Sequence, residues 1–93
     1  MKFYYPAVVT KTENHYHAVF PDLAMCEADG DTLDDVLENA RSAAYNWIEL
    51  ELSEPNPNLP ASSDKYDLRE NAAENQTVHE ILVIIRLMEG WEE

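Results

Sequence analysis

The chain has 93 residues, room for one small domain, and 45 % apolar content is enough to build one core. A chain of this size buries about two-thirds of its unfolded surface on folding. Nineteen Asp and Glu against six Lys and Arg leave a net charge of −13. Such a surface repels phosphate, which excludes autonomous nucleic-acid binding and docking on anionic membranes, and it attracts basic partners. One cysteine, Cys26, forms no internal disulfide and fits a reducing cytoplasm. Lys2 is followed at once by aromatics and Pro6, and no apolar run reaches ~18 residues, so neither a signal peptide nor a membrane span is expected.

Residues 1–10 read as a strand with Phe3, Tyr5, Ala7 and Val9 on one face and Lys2, Tyr4 and Thr10 on the other. Pro6 has no ladder donor and belongs at a bulge or beside an unpaired stretch. Residues 11–14 form a hairpin loop, with Asn14 best suited to a left-handed conformation. Tyr16, Ala18 and Phe20 then alternate with His15, His17 and Val19 in an antiparallel strand that Pro21 and Asp22 end. Residues 25–28 make a short third strand before a turn at Asp29, Gly30 and Asp31.

A long helix follows. Thr32 stands at the N-cap, Asp35 at the third position of a capping box, and Asp34, Asp35 and Glu38 place negative charge near the positive helix end. Leu33, Val36, Leu37, Ala40, Ala44, Trp47 and Ile48 share one face. Pro55, Pro57 and Pro60 stop the helix near Leu52. Residues 53–76 are a mobile connector, stiff and extended over 53–60, then polar, with a short helix or disorder near 64–70. Residues 78–87 form the last strand. Its apolar run at 81–85 predicts burial on both faces, with one face covered by another copy or a partner. Gly90 stops that strand and residues 91–93 are a tail. A right-handed return from the helix would lay the last strand parallel to the first. The expected fold is α+β, β-β-β-α-(α)-β, with one mixed, mainly antiparallel sheet and one long helix packed on one face.

Tyr5-Pro6-Ala7-Val8-Val9, Phe20-Pro21-Asp22-Leu23 with Cys26, Gly30-Asp31-Thr32-Leu33, and Glu38-Asn39-Ala40 together resemble the HicB antitoxin family. The resemblance is close over about residues 3–50 and looser over the final strand. It implies a single HicB-like domain over residues 1–93 with a partly degraded ribonuclease-H-like fold. It also implies an antitoxin that binds a small basic toxin, HicA, and blocks its RNA cleavage. Ala24-Met25-Cys26 stands where the family commonly has Pro-Gly-Cys, Asn14 stands where glycine is common, and the chain stops just after the last strand. No DNA-binding module is therefore expected.

Glu27, Asp29, Asp31, Asp34, Asp35 and Glu38 are six acids with no base among them. Capping accounts for the last three. Glu27, Asp29 and Asp31, with Asp22 at the strand end, are the expected partner-binding residues, an electronegative patch facing a toxin's RNA-binding cations. His15 and His17 share a strand face, and His-x-His can chelate a metal, with His79 or a carboxylate as a further ligand. The same alternation also marks an ordinary polar face, and no third ligand is fixed nearby. A ribonuclease-H-like nuclease needs converging carboxylates, yet the first strand has none. Glu27 disfavours a Cys26 thiolate, and Gly30 and Gly90 alone build no phosphate loop. Tyr4, Tyr5, Tyr16 and Phe20 lack the cations of a base-stacking platform and read as core or protein-contact residues.

The residues and the resemblance together imply a non-enzymatic cytoplasmic antitoxin that self-associates, with no catalytic residue, cofactor or metal. Two alternatives stay open: a free-standing assembly module without a toxin, and a metal-dependent hydrolase or nuclease using His15, His17 and Asp22.

Overall fold

The computed structural model describes residues 1–85. Strands β1 (Lys2–Thr12), β2 (His15–Val19) and β3 (Glu27–Gly30) lead into the long helix α1 (Leu33–Leu52). A short helix α2 (Lys65–Glu70) and strand β4 (Gln76–Ile84) follow. The sheet order is β3-β2-β1-β4 and every pairing is antiparallel. The α+β class and element order agree with the sequence; the orientation of β4 does not. Residues 60–63 lie beside Tyr4, Tyr5 and Asp22, whereas Asn75 pairs with Lys11 at the far end of β1. The connector with α2 therefore climbs the height of the sheet, and β4 must descend.

Pro6 costs the sheet nothing. Ile85 N–H donates to the Met1 carbonyl and Lys11 N–H to the Asn75 carbonyl, both at 2.8 Å, so odd-numbered β1 residues make the bonds to β4. Pro6 points the other way, and β2 pairs only from Val8 onward. The connector fills part of the side β2 leaves open: the Ser62 hydroxyl donates to the Tyr4 carbonyl, and Tyr5 OH donates to the Pro60 carbonyl at 2.5 Å.

The helix begins as its sequence dictates. Thr32 is extended and its Oγ1 accepts from Asp35 N–H at 3.1 Å. Ser53 closes the other end, its N–H reaching the Glu49 and Leu50 carbonyls. Val36, Ala40, Ala44 and Ile48 are wholly buried over Tyr5, Ala7, Val9, Ala18, Ala28, Ile81 and Val83. Alanines on both sides allow close approach, while each buried Val or Ile contributes about 1.5–3 kcal/mol. Gly30 is part of that approach. A Cβ there would meet Val36 N at 2.5 Å and Val36 Cα at 2.8 Å, so the residue is glycine for space. It ends β3 instead of forming the expected turn, and β3 starts at Glu27, two residues later than predicted.

Two further expectations are corrected. Among the described non-glycine residues only Met25 has a positive φ, 60°, so Asn14 is not left-handed; the Thr12 hydroxyl closes the hairpin on the His15 carbonyl at 3.2 Å. The apolar run of β4 is not buried on both faces. Ile81, Val83 and Ile85 face the core, Leu82 is half-buried and Ile84 is 41 % exposed. As an edge strand with α1 on one face, β4 keeps part of its second face open. The chain covers some of it itself: Lys65 of α2 reaches Glu80, Arg69 donates to the Val78 carbonyl, and Pro6 and Val78 are buried. The expected stop at Gly90 and the tail lie outside the described residues.

Candidate interaction surface

Pairing of β2 with β3 sets the site. Their register places His17 opposite Asp29 and Val19 opposite Glu27, and the two-residue period puts His15, His17, Glu27 and Asp29 on the face away from α1. His15 Nε2 and His17 Nδ1 each lie 2.8 Å from the same oxygen, Asp29 Oδ1, and His17 Nε2 lies 2.9 Å from Glu27 Oε1. The hydrogen bond to Asp29 is the main reason His17 titrates above the ordinary imidazole value; Glu27 adds to it and partial desolvation opposes it. Hydrogen bonds from His17 and then His15 hold the Asp29 carboxyl below the usual range.

Beside this cluster an open cleft of about 360 Å³ runs between the β2–β3 edge and the start of α1. Asp29, Asp31, Asp35 and Glu38 line it with His15, Gly30 and Asn39, and no Lys or Arg does. Asn39 Nδ2 donates to the Asp29 carbonyl at 2.7 Å, tying β3 to the helix. Asp35 and Glu38, attributable from sequence to the helix start alone, thus also face the cleft. Asn39 was not foreseen, though its place four residues after Asp35 puts it on the same helix face.

The structure divides the sequence-predicted residues. Glu27 joins the histidines, Asp29 and Asp31 line the cleft, and Asp22 is elsewhere: its carboxylate accepts from Ser63 N–H at 2.8 Å and from the Ser63 hydroxyl. The set His15, His17 and Asp22 is therefore not one cluster. His79 pairs with Ala7 and points to the opposite face from the other two histidines. Among the described residues no group of three His, Cys, Asp or Glu side chains could hold a metal ion. Cys26 is buried, and burial, then Glu27, push its thiol pKa up. Tyr5 and Phe20 are core, Tyr16 is half-buried under Lys11, and Tyr4 points to the other face, so the aromatics form no stacking platform. Among the described residues no helix is long and apolar enough to cross a membrane.

The model of the HicB_like antitoxin of bacterial toxin-antitoxin systems matches residues 5–89. No curated protein matches the chain. Among solved structures, a HicA3 and HicB3 toxin-antitoxin complex contains a chain 28 % identical, TM-score 0.62, covering 85 % of this chain and 95 % of that one. The Burkholderia pseudomallei antitoxin HicB is 25 % identical, TM-score 0.67, covering 98 % of this chain and 70 % of its own. A Streptococcus pneumoniae toxin-antitoxin complex, at 20 % identity and TM-score 0.62 over 90 % of this chain and 70 % of that one, shares the fold. With a family model matched over nearly its whole length, the chain belongs to the HicB-like antitoxins of bacterial toxin–antitoxin systems.

Proposed function

We propose that this protein neutralises a small basic HicA-type toxin in the cytoplasm by covering its RNA-binding surface, and performs no reaction itself. The observation that carries this reading is the cleft: four acidic residues, Asp29, Asp31, Asp35 and Glu38, line it at one end of a −13 chain, with no Lys or Arg in the lining. A surface that binds RNA must present Lys and Arg, and such side chains are what this cleft accepts. Steering by the whole anionic surface speeds the encounter, and an occupied cation no longer holds phosphate. The HicA3 and HicB3 complex supports a toxin of that class as the partner. Self-association fits the β4 side of the sheet face away from α1, where Tyr4 is 49 % exposed beside Leu82 and Ile84.

Co-expression with a HicA-type toxin tests the reading. Growth should be rescued and the two proteins should co-elute, while the isolated chain leaves RNA intact. Separate elution with persisting toxicity would overturn it.

A further inference from the structure

His17 stands between two carboxylates. A neutral imidazole carries one N–H, yet both ring nitrogens of His17 face an acid, Nδ1 at 2.8 Å from Asp29 and Nε2 at 2.9 Å from Glu27. Only the imidazolium donates to both. His15 differs. It uses Nε2 alone, toward the same Asp29 oxygen, and a neutral ring suffices for that. His17 thus bridges the Asp29 and Glu27 carboxylates, and a Lys or Arg that bridges the same pair takes its place.

We propose that docking of a basic partner on the β2–β3 face is proton-linked: the incoming cation replaces the His17 imidazolium, which then gives its proton to solvent. This rests on the reading of the adjoining acidic cleft, which Asp29 and His15 line, as the toxin-docking surface. The groups around His17 are few. Glu27 and Asp29 face it from β3, His15 shares Asp29 from β2, and uncharged Thr10 pairs with it on β1. From α1, Asp35 and Glu38 line the neighbouring cleft with Asp29 and His15, and His17 is not part of that lining. No Lys or Arg among the described residues is paired with this cluster, so His17 is its cation.

The sign follows from linkage. The two carboxylates raise the proton affinity of His17 in the free protein, and losing them to a partner lowers it again. Binding therefore releases a proton, and affinity rises with pH between the ordinary imidazole value and the raised value of the free protein, by at most about tenfold per pH unit.

Calorimetric titration of the full chain with a hexa-arginine peptide, in buffers of different ionisation enthalpy, reads the released protons directly. Wild type should release a fraction approaching one proton inside this window, and His17→Gln close to none, with a flat affinity profile. Binding that releases no proton, or equal release from His17→Gln, overturns the proposal and leaves the docking surface standing. No binding of the peptide at any pH overturns it as well, and co-elution with a HicA-type toxin then decides separately whether the antitoxin reading survives.

Discussion

At the scale of single residues, two positions show how backbone geometry constrains this chain. Met25 is 95 % exposed at φ 60°, where a side chain costs about 1–2 kcal/mol and glycine costs little. It stands where the family resemblance led us to expect glycine, so the turn keeps a conformation suited to the residue it lacks. Met25→Gly should raise the urea midpoint, with a gain of about 1 kcal/mol in unfolding free energy. Gly30→Ala should do the reverse by about 1–3 kcal/mol, because the helix backbone at Val36 leaves no room for a methyl group. Neither effect could be read from residue type: Gly30 looked like a turn glycine until the helix was seen to lie against it. Asp22 was hidden for a similar reason. Its partner Ser63 is 41 residues away, and local pattern carries no information at that separation. The run of acids from Glu27 to Glu38, in contrast, was legible, because strand register and helix period place most of it on one cleft.

At the scale of elements, α1 was readable almost to the residue, since an N-cap threonine and a proline-rich exit are local signals that the chain obeys. The direction of β4 was not, since a connector with its own helix can return the chain at either end of the sheet. That same strand is an open edge, and two guanidinium groups from different helices occupy it. Arg41 Nε donates to the Leu82 carbonyl and Arg69 to the Val78 carbonyl, each at 3.3 Å. Both carbonyls belong to even-numbered residues and point outward, as edge groups that template strand addition do. The double variant Arg41→Met/Arg69→Met should sediment as larger, concentration-dependent assemblies than wild type. Unchanged sedimentation would mean that the arginines do not guard the edge.

For the whole molecule, the organising feature is its charge polarity. Lys2, Arg41, Lys65 and Arg69 border β4, while the carboxylate cleft lies at the other end of the sheet. One pH effect on the free protein follows. Because His17 titrates higher folded than unfolded, its contribution to stability is complete below about pH 6.5 and lost as pH rises through the folded value. Thermal unfolding should show that loss in wild type and not in His17→Gln. On the proposed docking, the fold gives up a little stability at the pH where that surface is freest to accept a partner's cations.

The most direct test of that account is the dissociation constant for a HicA-type toxin measured against ionic strength. It should weaken at least tenfold between 50 mM and 500 mM salt, and Asp29→Asn/Asp31→Asn should weaken it at low salt by about fivefold per carboxylate, roughly 1 kcal/mol each, with a shallower salt slope. An affinity indifferent both to salt and to these two carboxylates would contradict an electrostatic cover for the toxin's cationic surface.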